Sequence, residues 1–243
     1  MFSAINRIRL EHHLQLLSRN TDLTRVANRH TRDMIKRNFF DHVNPDGDGP
    51  RERSKADGIP YPVSENLGIL SSYGLEVNKV VEELLKSLME SPEHRANILN
   101  PDLKEIGLAF AQDRDQVTNI IDMDVIGNSK LGYGTVIVCQ LFMKRGLLSL
   151  YPNPFPRVVQ KGDSVSISAV TYKPFDTVTI ELQESKGGKM VRSSEIALFE
   201  NQFAESLRFQ RSGKYDLKIK GVLYGDQGML ESEELATFEI TIE

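Results

Sequence analysis

The sequence predicts an α+β first half followed by an all-β second half. Apolar residues recur at three- and four-residue spacing along much of the first half, which is the period of a helix. The last 85 residues instead alternate polar and apolar side chains with a period of two. Between them, three prolines at 152–156 remove backbone donors and force extended geometry. We therefore expect one domain over residues 1–148, a proline-rich linker over 149–157 and a second domain over 158–243.

Two long helices are predicted in the first half. One presents an apolar face over residues 23–35, with Thr21 or Asp22 as its N-cap. The other covers residues 75–90, where valine and leucine side chains form one buried stripe.

A third helix and two strands complete the predicted first domain. Ser91 followed by Pro92 is a helix start, because serine caps a helix and proline fits its first position. Residues 92–99 should then form a short helix with His94 in its first turn. Residues 106–112 and 135–143 have the pattern of strands, so the first half is predicted to pack helices on a small sheet.

Short strands separated by turn-rich pieces are predicted throughout the second half. The alternation is clear in four runs, at residues 164–169, 177–182, 215–219 and 238–242. About seven short strands in a domain of this size indicate an antiparallel β-sandwich. Residues 213–217 (GKYDL) are similar to the segment that carries a corner tyrosine in immunoglobulin-like sandwiches, so we expect an immunoglobulin-like domain.

Composition excludes two classes of protein. Residues 1–158 carry 20 Lys+Arg and 20 Asp+Glu, and residues 159–243 carry 10 and 14, so neither half has the basic excess of a nucleic-acid binder. No apolar run approaches the roughly 20 residues of a transmembrane helix.

Cys139 is the single cysteine, so no intrachain disulfide is possible. Helix-like sequence begins within the first few residues, which indicates either a processed form or a chain that is not exported.

Three segments combine polar side chains with sharp backbone signals. They are FFDHVNPDG at 39–47, SENLG at 64–68 and SPEHRANILNP at 91–101. Each places a His or a Glu at an expected edge of an element, where side chains from distant segments can converge. The candidates are His42, Glu65 and His94.

In this order, the three segments resemble the bacterial form of the CAP superfamily, also called SCP or PR-1-like, the cysteine-rich secretory protein family. Residues 22–34, 106–109 and 139–142 are similar to the family's second helix and two later strands, so the resemblance covers roughly residues 3–145. It implies an α-β-α sandwich with a cleft lined by two histidines and two acids, in an extracellular, cell-surface or periplasmic protein.

The resemblance also assigns the cleft residues. His42 matches the first histidine, Glu65 the first acid and His94 the second histidine, while the second acid falls near Glu90 or Ser91. It implies a small ligand, a lipid or a partner protein in the cleft. We expect a monomer that binds no nucleic acid.

The residue types leave the chemistry of the cleft open. Two neutral imidazoles and a carboxylate, here His42, His94 and Glu65, are the ligands of a zinc site with open positions. Without metal, they form an acid/base pair or a hydrogen-bonded cluster. His30 shares an apolar helix face and is predicted as a core histidine, and Asn97 as turn chemistry. Glu65 is expected to be a cleft ligand with solvent access.

Three functions follow from these alternatives. The first is a secreted or cell-surface protein whose cleft binds a small ligand, lipid or divalent metal, with the β-sandwich as a spacer or adhesion module. The second is a metal-dependent hydrolase that uses His42, Glu65 and His94. The third is a structural interaction protein with a vestigial cleft. The sequence contains no His-Glu-x-x-His helix, so it favours a binding protein over an enzyme.

Overall fold

The computed structural model describes residues 1–71, 75–114, 117–120, 134–225 and 228–243. The chain forms two compact units, Met1–Ile59 with Val63–Lys144 and Pro60–Pro62 with Arg145–Glu243. The boundary therefore falls after residue 144, a few residues before the predicted domain end at 148. The predicted linker at 149–157 needs correction, because its first residues belong to a strand of the second unit, Leu147–Tyr151.

The described part of the first unit combines helices with one sheet. The helices are α1 (Phe2–Glu11), α2 (Thr21–Arg37), α3 (Pro50–Ala56), α4 (Val77–Glu90) and α5 (Pro92–Ile98). The strands are β1 (Ser18–Arg19), β2 (Val63–Ser71), β3 (Glu105–Arg114), β4 (Val117–Ile120) and β5 (Thr135–Met143). None of these helices is long and apolar enough to cross a membrane.

The sheet of the first unit has the order β1-β3-β5-β2, with β4 paired to β3. Strand β5 lies between two neighbours and is buried from Val136 to Met143, which explains its continuous apolar sequence. Strand β2 pairs only with β5 among the described strands, so it forms an edge of the sheet.

Helices cover both faces of this sheet. Helix α2 lies so close to β3 that a Cβ added at Gly107 would be 2.3 Å from the backbone carbon of Leu23. On the opposite face, α1, α4 and α5 share a core with Ile106, Phe110 and Val138. The α-β-α sandwich implied by the resemblance is thus the observed architecture of the first unit.

The helix starts differ slightly from those predicted. The N-cap of α2 is Asn20, not Thr21 or Asp22, and its Oδ1 accepts from the backbone N–H groups of Asp22 and Leu23, each at 2.9 Å. Ser91 is the N-cap of α5 as predicted, but its side chain makes no capping hydrogen bond.

The second unit is a β-sandwich of two sheets. Its strands are β6 (Leu147–Tyr151), β7 (Val158–Val159), β8 (Ser164–Thr171), β9 (Thr177–Glu184), β10 (Met190–Ala197), β11 (Gln202–Arg208), β12 (Gly213–Gly225) and β13 (Gly228–Ile242). The sheets have the orders β10-β9-β12-β13-β7 and β11-β8-β6, and they enclose one apolar core. Each predicted alternating run lies within one of these strands. Tyr215 is buried and its hydroxyl donates to the carbonyl of Ser212 at 3.2 Å, as in a corner tyrosine. The immunoglobulin-like assignment stays a prediction.

Candidate ligand-binding site

Glu65 is the centre of a buried polar cluster on the α2 side of the sheet. It is the third residue of β2, not at an element's edge as expected, and its side chain is only 1% exposed. Oε1 accepts from His42 Nδ1 at 2.9 Å, and Oε2 accepts from Arg53 at 2.6 Å and from the Cys139 thiol at 3.3 Å. Burial acts to raise the pKa of Glu65, but His42 and Arg53 outweigh it and lower the pKa. The carboxylate is therefore ionised and enclosed, and the expected solvent access is absent.

Arg53 joins the carboxylate to the backbone near His42, and the sequence analysis missed it. One guanidinium nitrogen donates to the carbonyls of His42 and Asp48 at 2.6 and 2.8 Å, while another binds Glu65. The planar guanidinium is suited to such a fork of bonds. Pro50 at the start of α3 and Glu52 two residues later signal a helix beginning, and that signal would have placed Arg53 in its first turns.

His42 is the half-exposed member of the cluster. Its side chain is 48% exposed and lies in the loop between α2 and α3. The hydrogen bond to Glu65 raises the pKa of His42 against the effect of partial burial. Because the ionised carboxylate accepts at Nδ1, the outer nitrogen Nε2 is left for a ligand, and no hydrogen bond to it is found within the described residues. The neighbouring side chains Phe40 and Val43 are 43% and 49% exposed.

His30 lies beneath this pair. It is buried, as predicted for a core histidine, but its Nε2 is 3.0 Å from the Asp41 carbonyl and 4.0 Å from Glu65. Burial lowers the pKa of His30, so the ring is neutral and donates from Nε2 to Asp41. This bond fixes the chain immediately before His42.

The backbone of His94 is held by Asn66, the residue that follows Glu65 in β2. Because side chains alternate along a strand, Asn66 points away from the Glu65 cluster and is fully buried. Its amide nitrogen donates to the His94 carbonyl at 3.0 Å and to Gln140 at 3.1 Å, and its oxygen accepts from Asn97 at 2.8 Å. Asn97 is therefore part of this network rather than only a turn residue.

The imidazole of His94 is partly buried. Burial lowers the pKa of His94, and the nearby positive charge of His42 lowers it further. The imidazole of His94 is therefore near enough to His42 to be affected by its charge, and the two pKa values are shifted in opposite directions.

The fourth predicted residue, Glu90, lies on an exposed helix surface. Glu90 is the last residue of α4, and its side chain is 68% exposed and 4.0 Å from Lys86 on the helix surface. No hydrogen bond or ion pair joins it to His42, Glu65 or His94 in the described part of the chain, so the assignment of Glu90 to the cleft stays a prediction.

The predicted zinc ligands do not fit a metal as they stand. Among the described residues, no group of three or more His, Cys, Asp or Glu side chains is arranged to hold a metal ion. Both oxygens of Glu65 are occupied, and the Arg53 cation 2.6 Å away would repel a dication. Glu65 therefore serves as the partner of His42 and Arg53 rather than as a ligand beside His42 and His94.

Comparison with known proteins identifies the class to which this fold and site belong. The model of the cysteine-rich secretory protein (CAP) family matches residues 2–141, and the chain belongs to that family. It is 32% identical over 108 residues to YkwD of Bacillus subtilis (strain 168), a match that covers 44% of this chain and 39% of YkwD.

Two solved structures are similar to the chain. An extracellular SCP-domain protein from Bacillus anthracis str. Ames matches at 22% identity and a TM-score of 0.44, over 59% of this chain and 38% of that one. An outer surface protein from Borrelia burgdorferi matches at 21% identity and a TM-score of 0.41, over 59% of this chain and 88% of that one. The chain thus spans less than two-fifths of the length of the two Bacillus proteins.

Proposed function

We propose that this CAP-family protein is an extracytoplasmic binding protein, with His42 and His94 as the polar end of a small-ligand site. One observation carries the proposal: Glu65 is fully engaged inside the fold, yet it orients a half-exposed imidazole whose outer nitrogen is left for a ligand. A carboxylate that fixes one imidazole nitrogen sets the orientation of the other. The outer Nε2 therefore accepts a hydrogen bond when the ring is neutral and donates one when the ring is protonated.

The surroundings favour an amphipathic ligand. The raised pKa of His42 favours its protonated form, which binds a carboxylate or another acceptor. Phe40 and Val43 expose apolar surface beside it, which suits a hydrocarbon portion of the same molecule. A lipid or small organic acid meets both conditions.

We also propose a location for the protein and a role for its second unit. The family is described as secretory, which supports an extracellular, cell-surface or periplasmic location. The β-sandwich, immunoglobulin-like in our assignment, would serve as a spacer or adhesion module.

Titration calorimetry with decanoate, a carboxylate with an apolar tail, tests the ligand site. Wild type should bind, and His42→Ala should weaken binding by about tenfold because it removes a charged hydrogen-bond donor. His12→Ala, which changes an exposed histidine of the first unit, is the matched control and should bind like wild type. Equal binding by His42→Ala and wild type would favour the vestigial-cleft alternative.

Zinc titration tests the hydrolase alternative. Zinc titrated into wild type and Glu65→Gln should give the same weak uptake, because Arg53 already holds the carboxylate. Tight zinc binding that Glu65→Gln abolishes would instead support a metal-dependent enzyme.

A further inference from the structure

The solvent face of α2 carries a single row of cations. Arg25, Arg29, Arg32 and Lys36 are all exposed and follow one another at spacings of four, three and four residues. At 3.6 residues per turn they fall within about 60° of the helix circumference, opposite the buried side that includes Leu23 and Met34. The row is about 16 Å long, with neighbouring Cβ atoms about 5–6 Å apart.

This arrangement is unfavourable for the helix itself. Like charges three or four residues apart repel, whereas surface helices commonly alternate acids and bases at these spacings. Arg25 and Arg29 share the carboxylate of Asp57, and Arg25 also contacts Asp22. For Arg32 and Lys36, no ion pair is found in the part of the chain that the structure describes. The ion pairs of the row thus use two carboxylates, Asp22 and Asp57, because Asp33 on the same helix pairs with Arg37. The formal net charge of the protein is -4.

Asp57 also prepares two of the cations for a ligand. Its side chain is only 8% exposed, so it holds the Arg25 and Arg29 guanidinium groups from below while their side chains remain 52% and 55% exposed. A guanidinium fixed on one edge presents its other N–H groups outward with little loss of conformational entropy on binding.

We propose that this row, Arg25–Arg29–Arg32–Lys36, is a docking surface for a linear phosphate-bearing polymer that lies along α2. Three of the four cations are arginines, whose forked N–H groups match phosphate oxygens. Because the row is one side chain wide, it matches the phosphate groups of a single polymer chain.

Two other anionic partners fit less well. The exposed large apolar side chains include none from α2, so the helix has no anchor for insertion into a lipid surface. It also carries no aromatic side chain on which a nucleic-acid base could stack, and one row of charges cannot reach both strands of a duplex.

Binding of long-chain inorganic polyphosphate to the whole chain, measured over a range of NaCl concentrations, tests the proposal. Arg32→Gln/Lys36→Gln should weaken binding about tenfold and make the slope of log K against log salt shallower by about one to two. Lys186→Gln/Lys189→Gln is the matched control, because it removes the same charge from exposed positions of the second unit. This control should bind polyphosphate like wild type.

Several outcomes would overturn the proposal: no binding by wild type, equal loss in both double variants, or binding as tight to poly-L-glutamate, duplex DNA or phosphatidylglycerol vesicles. Thermal melting checks that Arg32→Gln/Lys36→Gln is folded, and Lys36→Gln alone provides a second variant with about half the effect. His42→Ala should bind polyphosphate normally, so this result is independent of the proposed ligand site.

Discussion

Glu65 contributes both to the stability of the fold, through Arg53, and to the orientation of His42 in the site. Its ionised carboxylate is buried against Arg53 and His42, so removing its charge leaves a largely buried guanidinium without a counter-charge. We predict that Glu65→Gln lowers the free energy of unfolding by about 3 kcal/mol, since breaking one half of a buried ion pair is costly. Urea denaturation monitored by circular dichroism measures this change.

The matched control for Glu65→Gln is Glu90→Gln. The Glu90 side chain is 68% exposed, so the same loss of charge should change stability by no more than about 0.5 kcal/mol. If Glu65→Gln were as mild as this control, Arg53 would have to find solvent in the native state, and the buried-pair description would be incorrect.

The two site histidines should titrate on opposite sides of the ordinary value. Hydrogen bonding to Glu65 raises the pKa of His42 above 6.5, whereas burial and the charge of His42 lower the pKa of His94 below 6.5. Stabilisation by protonated His42 is therefore complete below 6.5 and is lost as the pH rises through its folded pKa. NMR titration of the imidazole resonances measures both values, and Glu65→Gln should bring the pKa of His42 down. Two histidines titrating together would contradict the proposed bond.

Only some residues of this site could be predicted from the sequence. His42, Glu65 and His94 stand in motifs with distinctive neighbours, so they could be named without a structure. Arg53 and His30 could not, because each lies on a helix and reaches Glu65 only through the packing of that helix against β2. The spacing of residues along a helix does not show which distant strand its side chains will contact.

A buried arginine connects α1 to the end of α5. Arg9 is fully buried, and its guanidinium donates to the backbone carbonyls of Gln15, Ile98, Asn100 and Leu103 at 2.8–3.3 Å. Two of these carbonyls, at Ile98 and Asn100, lie at or just beyond the C-terminus of the helix that carries His94. A cation is favourable there because helix C-termini leave carbonyls unpaired and carry partial negative charge.

We predict that Arg9→Met destabilises the first unit by about 3 kcal/mol, because it leaves several buried carbonyls without donors. Arg7→Met, at an exposed position of the same helix, should change stability by no more than about 0.5 kcal/mol. Thermal and urea unfolding of the three proteins makes the comparison. Similar losses in both variants would mean that the effect comes from the propensity of α1 and not from the buried contacts.

The elements also show which patterns predict structure. Long periodic segments such as α4 and β9 were placed to within a few residues, because burial of one face imposes a regular pattern. The two-residue strands β1 and β7 are too short to show any period, and β2 was not predicted as a strand, because it holds both a buried acid and a buried amide. Asn20 was missed as a cap because three capping residues follow one another there.

The chain divides into two units, and the boundary between them falls after residue 144 instead of at the expected 148. Strands β5 and β6 are separated only by residues 144–146, a connection too short to have the composition of a linker. A Cβ added at Gly146 would lie 2.4 Å from the carbonyl oxygen of Leu235, which shows that the chain has already joined the second unit at that residue. The prolines at 152–156 therefore lie inside this unit, between β6 and β7.

The position of the boundary leads to the last prediction, which compares two fragments. Strand β6 pairs with β8, and Leu147 and Phe155 are buried in the core of the second unit. A fragment of residues 157–243 lacks all three, and large buried side chains contribute about 2–5 kcal/mol each. We expect residues 145–243 to fold with a cooperative thermal transition and residues 157–243 to be unfolded or severely destabilised, as measured by circular dichroism and calorimetry. The longer fragment omits only Pro60–Pro62 from the unit. Equal melting temperatures for the two fragments would restore the original boundary, with residues 149–157 as a dispensable linker.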